Sequence, residues 1–503
     1  MIGAIPSECI YPPPGSPYTG PSGRTEGVRK RRTITDPAPL LQFRRCAALN
    51  HPCTHAMLAQ TRLIDTIDNL LQTDLRGFVR LREPIDITSF LGWLKGQTLY
   101  PRVYWHARER DREFAGLGCL REIRDVAALA ELNAQPKPAA GSWPRYYGGL
   151  AFDPLDQRQG GDHWREFGTC RFILPRIELI RQGNQIELVC NLWLEGDAGQ
   201  RREELTAARE ALALVAPEAR LDRLPAIDFQ RQDTPEQPVW SALVRELTDH
   251  DHLAQLPKVV LARESRLSTA QKVNPWDLLA AWQPLSPLCF HFAFAFSGES
   301  CLLASSPERL YRRHERELES EALAGTIIRT DDDAEDARLA AQLLADNKNR
   351  LENRLVHADI LTRLEGLAER ASLSPARILK LRRLQHLRRD IQARLKPGVY
   401  DDQLLSTLHP TPAVGGTPRR KALAYIRNHE SFCRGWYAGA CGLISEDVAE
   451  FAVAIRSVLL TQDCLRLYAG AGIVAGSQPE AEWQELDDKL ANLLSLLSQG
   501  SRP

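Results

Sequence analysis

The chain predicts an α+β fold, and three observations carry that reading. Strand and helix patterns follow one another in irregular order, without the regular alternation that builds a parallel sheet. A β-hairpin is legible between residues 177 and 193, so antiparallel pairing is expected. Phe290, Phe292, Phe294 and Phe296 alternate, which lines one face of a strand with rings. The expected architecture is antiparallel sheets flanked by helices, with no internal repeat.

The elements follow in chain order. Leu63, Ile64, Ile67, Leu70 and Leu71 form a helical stripe. Residues 102–108 and the aromatic, glycine-containing run 145–152 (RYYGGLAF) read as strands. In the hairpin, Ile177 and Leu179 alternate before Gln182-Gly183-Asn184, and Ile186, Leu188, Cys190 and Leu192 alternate after it. Residues 201–215 and 238–253 read as helices. Residues 258–263 (KVVLAR) read as a short buried strand, and 301–305 as the hairpin partner of the phenylalanine strand. Residues 335–367 form a long helical region. Residues 375–395 predict a second one, with Ile378, Leu381, Leu384, Leu387 and Ile391 on one stripe and a basic opposite face. Residues 451–460 and 465–470 close as strands before a final helix.

Composition sets the limits. The 503 residues are 43% hydrophobic and 25% charged, an ordinary globular balance. Formal net charge is zero, so no global field draws the chain to nucleic acid or anionic membranes. The basic face at 377–394 has no interleaved aromatics and reads as solvated, not as a nucleic-acid patch. No apolar run reaches the roughly 18 residues of a spanning helix. The 11 cysteines include no CxxC pair, which suits buried thiols in a reducing cytoplasm better than disulfides or zinc. Residues 1–56 are proline-rich, carry the basic run Arg29-Lys30-Arg31-Arg32 and show no period. They read as a disordered leader with Met57 as the physiological start. Residues 57–240 then form the N-terminal portion of the fold, and 241–500 a catalytic region packed with it as one domain.

Several residues stand out chemically. In the last helix, opened by Pro479, spacings of three and four put Glu482, Glu485 and Lys489 on one face. Two carboxylates and an ammonium beside a glycine-rich turn at Gly470 and Gly472 suit a hard cation and an anionic substrate. A solvated surface pair would have the same spacing. Lys258 lies in an apolar strand, as a buried base or as an edge-strand gatekeeper. Glu308 follows Ser305-Ser306-Pro307 at a strand end, as a turn cap or as a general acid. Glu352 lies on the 335–367 helical region and offers a third carboxylate. Gly325 and Thr326 belong to a small-residue turn that a substrate can approach. His409, Tyr437 and Arg456 are polar groups among apolar or glycine-rich neighbours, and Arg456 sits alone in an apolar strand, where a guanidinium calls for a carboxylate.

These segments together resemble the chorismate-utilising enzymes. KVVLAR, SSPERL, ALAGT, DNKNRLEN, LHPTPAVGG, RGWYAGACG, FAVAIR and AGAGIVAGSQPEAEWQELDDKL occur in that family's order across residues 256–490. The resemblance implies a single large domain of that family's type. It makes Lys258 the base that activates water against C2 of chorismate and Glu308 the acid for the departing C4 hydroxyl. It gives Mg²⁺ to Glu352 and Glu485, with Glu482 supporting through water. The metal would bind the ring carboxylate, assisted by Gly470, Gly472 and Lys489. Tyr437 and Arg456 would hold the enolpyruvyl carboxylate, with Gly325, Thr326 and His409 in the pocket.

Within the family, anthranilate synthases usually lack lysine at the position of Lys258. Aminodeoxychorismate synthases often carry a nucleophilic lysine where Ala324 stands. Water is therefore the expected nucleophile. The likeness is greatest to isochorismate synthases of the menaquinone-pathway type, Mg²⁺-dependent isomerases that need no obligatory protein partner. The alternatives are a salicylate synthase and an ammonia-using synthase subunit. A menaquinone or a siderophore destination for the product stays open. Two departures are visible: Asn353 replaces a histidine common after the metal glutamate, and Asn349 stands where many relatives have an acid.

Overall fold

In the computed structural model, residues 52–134, 143–156, 158, 162–462 and 464–501 are described. Their strands form two large antiparallel sheets. The first runs, strand by strand, Gly77–Pro84, Gln185–Leu194, Ile177–Gln182, Arg112–Leu117, Arg102–His106, Phe290–Ala295, Ser300–Ser306, Ser457–Thr461, Cys464–Ile473, Lys258–Ser268 and Gly416–Thr417. Gln230–Thr234 also pairs with Lys258–Ser268. The second sheet runs Ala368–Leu373, Leu384–Leu395, Glu317–Ile328, Arg309–His314, Val448–Val453, Ala440–Ile444, Tyr146–Leu150, Cys170–Leu174 and Arg121–Ile123. Both sheets mix strands from before and after residue 240.

The α+β reading holds, and so do the two hairpins. Ile177–Gln182 turns at Gly183-Asn184 into Gln185–Leu194, with Gln182 opposite Gln185. Phe290–Ala295 pairs with Ser300–Ser306, and Phe290, Phe292 and Phe294 are fully buried. The leader reading falls outside the described residues up to 51, and the first helix spans Pro52–Leu70, so residue 57 lies inside it. Its Leu63 and Ile67 are buried as the stripe predicts.

Several elements differ. Residues 375–395 are not a helix but the strands Arg377–Lys380 and Leu384–Leu395, paired through Ile378 and Leu387. Cross-strand carboxylates hold that form: Arg388 meets Glu321 at 3.0 Å, and Arg377 meets Asp390 at 2.6 Å. Tertiary pairing overrode an accidental helical spacing, and part of the basic face is neutralised at its own sheet. The 335–367 region is two helices, Asp333–Ala345 and Asn347–Glu365, broken where Asp346 caps the second by accepting from the Asn349 amide. The 238–253 helix breaks likewise at Asp249. The run 451–460 is two strands in different sheets, Val448–Val453 and Ser457–Thr461. Arg456 therefore stands in the link between them, with φ +51°, and not inside an apolar strand.

Gly470 and Gly472 belong to no turn either. They lie within Cys464–Ile473, opposite Ala262 and Val260. Gly325 lies in the Glu317–Ile328 strand, where the register with Leu384–Leu395 slips between Leu323 and Thr326. Its φ of +89° makes this a bulge rather than a turn.

Candidate active site

A small cavity, about 70 Å³ in free volume, opens where the two sheets and two helices meet. The first sheet contributes Val260, Gly470 and Gly472, and the second Ala324, Thr326 and His386. The Asn347–Glu365 helix contributes Glu352, and the Pro479–Gln499 helix contributes Glu485 and Lys489. Glu308, Tyr437 and Arg456 complete its polar wall.

Lys258 stands just behind this wall. Its side chain is fully buried, which removes the edge-strand reading, and its Nζ donates to Glu352 Oε1 at 3.0 Å. Gly472 explains how the two fit. A Cβ there would lie 2.4 Å from Glu352 Oε1 and 3.0 Å from Lys258 Cε, so any side chain would displace the pair. Gly470 does the same for Tyr437, whose hydroxyl would be 2.9 Å from an added Cβ. The strand is glycine-rich because the site needs the room, not because a turn needs the freedom.

Glu308 sits between the Ser300–Ser306 and Arg309–His314 strands and is only 3% exposed. Burial pushes its carboxyl up to about 8, and nearby Glu321 adds to the effect, against the pull of Lys258 and Lys489. It is therefore protonated near neutral pH, as a general acid requires. Glu352 goes the other way: burial would raise it, but the ammonium groups of Lys258, Lys489 and Lys348 together hold it below its usual range. Two carboxyls on one cavity are thus driven apart in proton affinity, the pattern that separates an acid from an anionic ligand.

Lys489 donates to Glu485 Oε1 at 2.6 Å and to the Gly470 carbonyl at 2.7 Å. Arg456 donates to the Lys489 carbonyl at 3.0 Å. Tyr437 stacks on Tyr468 with centroids 4.9 Å apart, and burial keeps its phenol protonated.

Besides Lys258, which reaches the site only through Glu352, two expected residues do not line the cavity. Glu482 is 1% exposed and pairs with Lys348 on the neighbouring helix. His409 caps the end of the Asp401–Leu408 helix and meets the Ala151 carbonyl through Nε2 at 3.0 Å. His386 was missed. It lines the cavity, its Nδ1 meets Thr326 Oγ1 at 3.0 Å, and burial holds the ring neutral. A helical reading of 375–395 hid it; an alternating reading from Leu384 would have placed it inward.

The two departures from the family pattern have structural work. Asn353 is buried, and its Nδ2 lies 3.2 Å from the carbonyls of Ala322, Ala324 and Leu387. Asn349 Oδ1 accepts from the Thr326 amide at 3.1 Å. Together they clamp the bulge that presents Gly325 and Thr326.

Among the described residues, no group of three or more His, Cys, Asp or Glu side chains is placed to cage a metal. Glu352 and Glu485 do line one cavity, and the former is held ionised. Two hard carboxylates without a third ligand fit Mg²⁺, which keeps several waters and borrows substrate oxygens.

A family profile described as chorismate binding enzyme matches residues 64–498. The chain is 39% identical to the isochorismate synthase MenF of Escherichia coli (strain K12) over 82% of this chain and 91% of that one. It is 36% identical to the salicylate biosynthesis isochorismate synthase of Pseudomonas aeruginosa, over 83% and 88% of the two chains. The solved structure of the menaquinone-specific E. coli MenF superposes with a TM-score of 0.77 at 36% identity, covering 87% of this chain and all of that one.

Proposed function

This chain belongs to the chorismate-binding enzyme family, and from that premise we propose that it is an isochorismate synthase, a Mg²⁺-dependent isomerase interconverting chorismate and isochorismate. The observation that carries the mechanism is a pair of opposite character at one site: protonated Glu308 on the cavity wall, and buried Lys258 behind Glu352, close enough for its ammonium to act on the Glu308 carboxyl.

In the forward direction a water oxygen bonds to C2 of the ring, and its proton passes to Lys258. The double bonds shift, and the C4–oxygen bond breaks. Glu308 gives its proton to that oxygen, which leaves as water. Proton transfer of this kind contributes about 10²–10⁴-fold each. The reverse reaction uses the same groups with their proton states exchanged.

Glu352 and Glu485 would hold Mg²⁺, which when bound neutralises the ring carboxylate. Arg456 and the Tyr437 hydroxyl supply donors for the enolpyruvyl carboxylate. His386, kept neutral, and Thr326 complete a polar wall that orients the ring without adding charge. Glu482 acts from outside the cavity by holding Lys348.

The test is product identity. Pure protein with chorismate and Mg²⁺ yields isochorismate by chromatography, with or without ammonia. Salicylate and pyruvate would make it a lyase, and an amino product formed only with ammonia would make it a synthase subunit.

A further inference from the structure

A second chamber, about 300 Å³, adjoins the catalytic cavity and shares Pro307, Arg456 and Lys489 with it. Its walls are largely apolar, with Trp282, Leu285, Leu288 and Leu493 among them. Its charged lining is one-sided. Lys380, Arg382, Arg383, Arg456 and Lys489 face it, and among the described residues no aspartate or glutamate does. In the catalytic cavity, by contrast, Glu308, Glu352 and Glu485 all line the wall.

The outer cations come from one place, the connection between the Arg377–Lys380 and Leu384–Leu395 strands. Lys380 is engaged by Asp336 at 2.7 Å. Arg382 and Arg383 are exposed, and no ion pair to either is present among the described residues. Paired cations elsewhere on this hairpin show that carboxylates are supplied where the fold wants neutrality. At Arg382 and Arg383 none is supplied among the described residues.

A substrate with two carboxylates gains nothing from a protein of zero net charge, and it must approach a cavity holding carboxylates of its own. A locally cationic funnel with apolar walls solves that problem, because low-dielectric walls focus the field. We propose that this chamber is the entry route to the active site, and that Arg382 and Arg383 steer the dicarboxylate substrate into it. Arg456 and Lys489, on the shared wall, receive it. The proposal rests on the function given above and adds the route.

Stopped-flow tryptophan fluorescence tests it, with Trp282 in the chamber wall as a reporter. Chorismate binding in the presence of Mg²⁺ is followed at low and high ionic strength. Arg382→Gln/Arg383→Gln is expected to lower the association rate constant about tenfold at low salt and to flatten its salt dependence. Dissociation and turnover at saturating substrate stay unchanged, which also shows that the variant is folded. Arg382→Lys/Arg383→Lys keeps the charge and should keep the rate. Arg202→Gln/Arg209→Gln makes the same change in net charge on a distant helix and should have no effect. An unchanged association rate in the first variant, or an equal loss in the distant one, overturns the entry route alone. Wild-type protein that neither binds chorismate nor forms isochorismate overturns the function as well.

Discussion

Glu308 makes the pH dependence of the reaction predictable. Its carboxyl must be protonated to release the C4 hydroxyl, and burial holds it at about 8. Activity therefore falls as pH rises through about 8, the sign expected for an acid whose protonated form is lost. Glu308→Gln should cost about 10²–10⁴ in turnover and remove that alkaline limb from whatever activity remains, as read from kcat/KM profiles. Lys258→Ala should lose a similar factor while chorismate still binds, because the carboxylate holders are untouched; calorimetry and turnover together check this. Near-normal turnover would remove Lys258 from the role of base. For the metal, affinity without chorismate should be poor and should rise when chorismate is present, and the coupling must be reciprocal. Glu485→Gln should reduce that coupling, whereas Glu335, half-exposed and paired with Arg338, should be neutral to change. Equal Mg²⁺ affinities with and without chorismate would make these carboxylates ordinary helix residues.

At the scale of elements, the clamp formed by Asn349 and Asn353 is the feature most open to test. Asn353→Ala leaves the Ala324 and Leu387 carbonyls without their donor in a buried place, at a cost of about 1–3 kcal/mol. Urea unfolding should show that loss, and KM should rise as the bulge bearing Thr326 loosens. The residue types at both positions were plain in the sequence, but their purpose was not, since it depends on a strand that slips its register beside the helix. The same limit explains the other misses. Local patterns revealed the two hairpins and the final helix, whose side-chain spacing holds in Pro479–Gln499. The stripe at 378–391 was equally periodic, yet Glu321 and Asp390 pair with its arginines across strands, and partners distant in sequence leave no local trace. His386 was lost with that element. Glycines 470 and 472 suggested a turn, because a crowded strand and a free turn call for the same residue.

For the whole molecule, both sheets draw strands from before and after residue 240, so neither part should hold the cavity alone. The cavity exists only where the sheets and the two carboxylate-bearing helices converge. A chain starting at Met57 should retain turnover and thermal stability, because it keeps Ala59, Leu63 and Ile67, the fully buried side chains described for the first helix. A large loss in either would give the preceding residues a structural role. The account as a whole turns on water as the nucleophile at C2. Mass spectrometry of isochorismate formed from ordinary chorismate in heavy-oxygen water tests this most directly. One solvent oxygen should appear in the C2 hydroxyl of every product molecule at early times. Isochorismate that keeps the substrate's own oxygen would mean that the hydroxyl migrates within the ring, and would contradict the roles given to Lys258 and Glu308.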